Sequence, residues 1–338
     1  MKQLGLFDWK ERYTRTDKNG DPLVELNKVI PWEDFRSVLS NVFMKARKSN
    51  AGAKPYDVVL MFKVLILQSL YNLSDDGIEY QILDRLSFMR FLSIDAGDKV
   101  PDSKTIWLFR EKLKDAGIIE ELFSRFDKYL NEKGFSARKG QIIDASIVPV
   151  PKQRNSREEN KNIKNDEKPE NWSPAKARQK DTDARWVKKN GVSYFGYKNH
   201  ISVDVKHKLI RAWHVTAASV HDSQVFEELI DENNSSRDVY ADSAYRSESS
   251  LEMITKKGLR EHIQRKGCKN KKLTKWEKQG NKTRSKIRSR IEHVFGIQVM
   301  IAGAKLLRGI GSARAKFKIG LRNLAYNMFR FKTLAATA

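Results

Sequence analysis

The stretch Gln141-Ile142-Ile143-Asp144-Ala145-Ser146-Ile147-Val148 constrains this chain more than any other. Its β-branched residues read as a buried strand, yet one carboxylate interrupts them. A second apolar run, Arg237 to Ala241, delivers Asp242 at its end. An unpaired carboxylate in such a setting is costly, so these two acids differ from most of the 42 in the chain, which read as surface charges or helix caps. If the two strands pair in parallel, Asp144 and Asp242 lie side by side. A third acid, Glu292, falls on a basic helix whose apolar stripe is Ile287, Ile291, Val294, Phe295 and Val299.

The 338 residues are long enough for two or three domains. Residues 1–54 read as an N-terminal arm with one short helix after Pro31. From 55 to 133 the periodicity is helical. Val58, Val59, Phe62, Leu65 and Ile66 line one face, and Ser74 is placed to cap the next helix. Another helix opens at Pro101-Asp102-Ser103 and stops at Gly117, and a further one covers 118–132. This all-α module suits either a helix-turn-helix-like DNA reader or a bundle that supports or dimerises the protein.

Residues 134–332 change character. A strand over 141–148 is followed by a polar segment, 152–190, which reads as an insertion loop. Tyr194 to Val205 alternates, with Phe195, Tyr197, Ile201, Val203 and Val205 on one face and Lys198, His200, Ser202 and Asp204 on the other. A returning strand runs from Leu209 to Thr216, and His221-Asp222-Ser223 caps a helix through Leu229. The strand ending at Asp242 comes next, then a helix over Ser247–Lys257, a strand over Leu259–Gln264 and a long helix from about Thr283. The order strand, hairpin, helix, strand, helix, strand, helix is that of an α/β, RNase H-like mixed sheet flanked by helices.

Charge narrows the function. Lys plus Arg number 65 against 42 Asp plus Glu, a net +23, which favours a polyanionic partner through counterion release. The excess is local: Lys256 to Arg290 holds fifteen Lys/Arg against Glu261 and Glu277, and no acid follows Glu292. A uniformly solvated basic surface does not explain that clustering. The stretch Lys266 to Lys286 is the candidate for tracking a DNA backbone. Carboxylates gathered from separate elements in such a chain fit phosphodiester chemistry with two divalent ions. Mg²⁺ prefers oxygen donors.

The segments Asp144-Ala145-Ser146, Ala241-Asp242-Ser243-Ala244-Tyr245-Arg246 and Arg288-Ser289-Arg290-Ile291-Glu292-His293-Val294-Phe295 resemble the three catalytic signatures of DDE transposases of bacterial insertion sequences, in particular the IS-five family. Phe195-Gly196-Tyr197-Lys198-Asn199-His200 resembles that family's second-strand motif. Pro55-Tyr56 through Ser74-Asp75, with Pro101 to Ile106, resembles its helical N-terminal region. The likeness runs from about 30 to 330. It implies that Asp144, Asp242 and Glu292 are a catalytic, metal-binding triad for two Mg²⁺ ions, with Mn²⁺ as a substitute. It further implies cleavage at terminal inverted repeats and transfer of the exposed 3′-OH into target DNA. The partner would be double-stranded DNA, engaged by a homodimer or higher oligomer. Related enzymes often carry Tyr three residues before the Arg and Lys seven after the Glu; this chain has Ser285 and Val299 there. Candidate DNA contacts are Arg288, Lys198, His200, Tyr245, Arg246, Lys282, Arg284, Lys286 and Trp186.

Rival readings stay open at this level. One is a catalytically inactive or domesticated DNA-binding descendant, against which all three acids speak. Another is an RNase H-like nuclease sharing the metal chemistry. His200, His207, His214 and His221 recur every seven residues, but they fall on strands, a turn and a helix start, which does not suit a zinc cluster. A lone Cys268 allows no intramolecular disulfide, the N-terminus lacks a signal-peptide hydrophobic region, and no run reaches the ~20 apolar residues of a membrane span. These features suit a soluble protein of the bacterial cytosol, associated with the nucleoid.

Overall fold

A computed structural model describes residues 8–43, 54–95, 97–165, 167, 169, 171–268, 272–301 and 306–337. Contacts divide the chain into two compact units. One comprises Met1–Gln68, Leu73–Leu113 and Met328–Ala338, the other Ser69–Asn72 and Lys114–Asn327.

In the first unit, the segment read as an arm with one helix is built of several. α1 (Asp8–Lys18) and α2 (Pro22–Val29) precede a 3-10 turn at Trp32–Phe35 and α3 (Arg36–Phe43). Asp21 caps α2 by accepting from the Leu23 amide, and Pro22 starts the helix where no amide hydrogen is needed. Trp32 and Phe35 are buried against Phe62 of α4 (Val58–Tyr71), at centroid distances of 6.3 and 5.0 Å. α5 (Asp75–Asp84) is capped by Ser74 as its sequence predicts, the hydroxyl accepting from Gly77 N. α6 (Leu86–Leu92) and α7 (Ser103–Asp115) follow, and the unit also takes in the end of the last helix, from Met328. The buried Arg110 of α7 meets both Asp75 oxygens, at 2.5 and 2.8 Å, which offsets the cost of burying its charge.

The second unit begins with α8 (Ile119–Glu132). Periodicity groups this helix with the preceding ones, but its side chains pack elsewhere. Phe123 meets Trp213 edge-on at 6.1 Å, and Asp127 pairs with Arg211 at 2.7 Å. The chain continues as β1 (Gln141–Pro149), α9 (Arg157–Lys164), α10 (Pro174–Arg178), β2 (Arg185–Lys189), β3 (Val192–Asp204) and β4 (Ile210–Ala217). The stretch 152–190 is therefore not a bare loop. Ser156 and Glu159 form a reciprocal capping box on α9, and Ser173 caps α10. Two 3-10 turns, Asp222–Val225 and Glu227–Leu229, stand where the sequence suggests a single helix. β5 (Asp238–Ala241), α11 (Glu248–Lys256), β6 (Arg260–Ile263), α12 (Lys275–Ile301) and α13 (Ser312–Ala335) follow.

The strands form one six-stranded mixed sheet in the order β2-β3-β1-β5-β6, with β4 also paired to β3. β3 is long enough to pair β2 along its first part and β4 along its second, while β1 runs antiparallel along its other edge. β1 and β5 are parallel, as are β5 and β6. This is the RNase H-like arrangement that the element order predicts. One core packs Ile143, Val239, Ala241 and Ile263 against Phe226, Leu229, Tyr245 and Ile254; another packs Val148, Phe195 and Tyr197 against Ala315 and Ile319 of α13.

Two features hold the centre of the sheet. Gly196 sits where a Cβ would lie 2.3 Å from the Val148 carbonyl oxygen, so only glycine lets β3 approach β1 there. Asn323 of α13 exchanges two hydrogen bonds with Asn199 of β3, at 2.9 and 3.1 Å, and accepts a third from Gln298 of α12 at 2.8 Å. Burial on both faces makes such pairing obligatory. Among the described residues no single helix is long and apolar enough to cross a membrane.

Candidate active site

Strand register builds the site. Ile142 pairs with Tyr240 and Ile143 with Ala241, so the next residues on the two parallel strands are Asp144 and Asp242. Asp144 stays within β1, which continues to Pro149, whereas β5 ends at Ala241. Asp242 turns the chain by accepting the Ala244 amide at 2.7 Å, opening a 3-10 turn over Ser243–Tyr245. Asp144 accepts its neighbour's amide, Ala145 N, at 2.8 Å.

The third element is α12, which packs against β1 and β5 and carries the buried Ile291 and Val294. Arg288 projects from it to Asp144, Nη1 donating to Oδ2 at 2.6 Å. Its other terminal nitrogen lies 3.9 Å from Glu292 Oε1, one turn along. The guanidinium thus stands between Asp144 and Glu292. Glu292 itself is solvent-exposed, and among the described residues no three acids, histidines or cysteines converge as a finished metal site. Two acids are brought together, and the third is held one guanidinium away.

Electrostatics mark Asp144. Burial pushes the Asp144 carboxyl up to about 6, with the negative Asp242 adding to the rise, against the opposing pull of Arg288 and the Ala145 amide. The Asp144 carboxylate, held by Arg288, and the neighbouring Asp242 form an all-oxygen donor set. That suits a hard divalent ion, which would relieve the crowding of negative charge.

The other residues singled out from sequence divide by burial. Of the residues read as DNA contacts, His200 and Tyr245 are buried in the domain and Lys198 is half-buried. Lys198 donates to Asp222 Oδ1 at 2.8 Å and to the Val220 carbonyl at 2.7 Å. His200 is fully buried, its Nε2 bonded to Thr216 Oγ1 at 2.9 Å, and burial pushes its pKa down to about 4, so it is neutral. Tyr245 packs its ring on Phe226 at 5.5 Å, and burial followed by the nearby Asp222, Asp144 and Asp242 raises its pKa. Alternation along β3 suggests one wet face, but both faces are covered for most of its length. Arg246 is engaged by Glu261. Arg284 is half-buried, Lys282 and Lys286 are exposed on α12, and Trp186 is partly exposed, tilted against Phe195 at 5.2 Å.

Asp222 is a residue that sequence reasoning missed. His221 caps the turn, its ring nitrogen accepting the Ser223 amide, while Asp222 turns inward to Lys198. A lysine on a strand face that must be buried was the available signal, because it demands a counter-ion. The Ser285 that replaces a tyrosine of related enzymes accepts from Gln264 Nε2 at 2.6 Å, tying α12 to the end of β6; Val299 is exposed.

Comparison with known proteins gives two family matches. Residues 135–328 match the family described as "Transposase DDE domain", and residues 10–112 match one described as "Transposase domain". Among solved structures, the piggyBac transposase synaptic complex with hairpin DNA, determined by cryo-EM, aligns with a TM-score of 0.45 at 10% identity. The alignment covers 94% of this chain and 76% of that one.

Proposed function

The chain belongs to the DDE transposases of insertion-sequence type, enzymes that cut DNA and transfer strands, and from that premise we propose that it mobilises an IS-five-type element using Asp144, Asp242 and Glu292 as its metal-binding residues. The family uses divalent ions. Here the fitting ions are two Mg²⁺, with Mn²⁺ as a substitute, because every candidate ligand is a carboxylate oxygen. When bound, such ions supply activation of the attacking oxygen and neutralisation of charge on the scissile phosphate.

The remaining work falls to the protein. The β1–β5 register fixes Asp144 beside Asp242 before any ligand arrives. Arg288 orients Asp144 by its Oδ2 and stands near Glu292, where its free donors can also meet a phosphate. Lys282 and Lys286 lie exposed on the same helix and would track the DNA backbone, with Arg284 beside them. Trp186 remains a candidate contact at the edge of the sheet. The DNA engaged would be terminal inverted repeats and target, and joining two ends calls for a dimer or larger assembly in the bacterial cytosol. The helical residues 55–133 would serve end recognition or assembly.

The observation that carries this reading is the parallel register setting Asp144 and Asp242 side by side, with Arg288 on Asp144. Asp144→Asn and Asp242→Asn are each expected to abolish Mg²⁺-dependent nicking and strand transfer while leaving end binding intact in a mobility-shift assay. Full activity in either variant would overturn the assignment. Tight end binding by the wild type with no nicking would instead favour a protein that only binds DNA.

A further inference from the structure

Trp276 is the most exposed large hydrophobic side chain on the described surface, at 87%. It stands in the first turn of α12, the helix that carries Arg288 and Glu292. An indole left in water keeps its ring face and its N–H free for a partner. Its surroundings say what that is. Lys275 and Lys278 flank it, both exposed and without an ion pair among the described residues. The one acid nearby, Glu277, is already engaged: it caps the helix through Thr274 and pairs with Arg265 at 3.2 Å. One turn further on is Gly280, over which the Arg284 guanidinium lies, 3.1 Å from where a Cβ would stand. A flat aromatic face within unneutralised lysines matches the two demands of a nucleic-acid base, a π-surface to stack on and cations for the adjoining phosphates.

We propose that Trp276 is a stacking platform for an unpaired or extruded DNA base, so that this face of α12 recognises distorted DNA in preference to regular duplex. Bases inside a duplex are already stacked and present no face to an indole; an unpaired base does. The twelve residues from Trp276 to Arg288 span ~18 Å of helix, short enough for one bound DNA to touch both. The proposal rests on the DNA-processing role argued above, and it adds a site that the acid triad does not require.

The test uses the full chain and two labelled 30-base-pair duplexes, one fully paired and one with a single extrahelical 2-aminopurine. Wild type is expected to bind the bulged duplex about 10-fold more tightly by anisotropy and to quench its 2-aminopurine. Trp276→Ala should bind both duplexes equally and lose the quenching, Trp276→Phe should keep part of the preference, and all three proteins should share one melting temperature. Equal binding of the two duplexes by wild type, or an undiminished preference in Trp276→Ala, would overturn the proposal while leaving the transposase reading intact. Failure of the wild type to bind either duplex would overturn both.

Discussion

The three acids proposed as metal ligands come from two kinds of scaffold, and the contrast is instructive. Asp144 and Asp242 are set by the register of two parallel strands, in a sheet whose neighbours leave them no freedom to separate. Glu292 rides on the outer part of a helix. The side chain of Asp144 is 15% exposed and that of Glu292 is 67% exposed. The strand acids are therefore preorganised, and burial raises the pKa of Asp144. The helix acid is exposed to water, and the proposed triad requires it to be drawn in. Preorganisation is bought with folding stability at one end of the site and left to ligand binding at the other.

The largest expected effect tests whether the helix acid belongs with the strand acids at all. Glu292→Gln should reduce Mg²⁺-dependent nicking on the order of 10³-fold, as expected when a group acting on developing charge is removed. A variant keeping more than a tenth of wild-type activity would separate Glu292 from the pair. Its melting temperature should not move, because the side chain is exposed and its ion-pair partner is 3.9 Å away.

The strand side should respond in the opposite way. Gly196→Val places a Cβ against the Val148 carbonyl at the β1–β3 seam and should cost about 1–3 kcal/mol in denaturant unfolding. An unchanged stability would show that the seam does not hold Asp144 in place.

The smallest effect is a difference in pH dependence. His200, on β3 opposite Ala145, is held near 4 in the fold against an ordinary value of 6.5. The unfolded chain thus binds a proton that the native protein refuses between those values. This contribution to stability is complete above 6.5 and is lost as the pH falls toward 4. His200→Gln should therefore lose less stability than wild type between pH 7 and about 4.5. Parallel acid-unfolding curves for the two proteins would refute the buried neutral histidine.

The same contrast explains what could be read from the residues. A β-branched run broken by Asp144, and another ending at Asp242, carry the strands and their acids in plain view, because strand burial and strand sequence share one period. The order of elements likewise implied the mixed sheet. What a period cannot reveal is what covers a face. The alternation along β3 is real, yet His200 is buried and Lys198 half-buried because the 3-10 turn bearing Asp222 closes over them and supplies a counter-ion. The helices of residues 8–29 and 157–178 hide in polar sequence whose order comes from caps and a few buried side chains, such as Leu23, Leu26 and Ile163. The Arg288 ion pair spans 144 residues, and only packing could bring its partners together.

The central claim is that Asp144 and Asp242 grip the catalytic ion directly, and replacement of one carboxylate by a thiolate tests it. Mg²⁺ does not favour sulfur, whereas Mn²⁺ tolerates it better. Asp242→Cys should be silent in nicking assays with Mg²⁺ and recover at least about tenfold when Mn²⁺ replaces it. Wild-type nicking by the Asp242→Cys protein in Mg²⁺ alone would contradict the account.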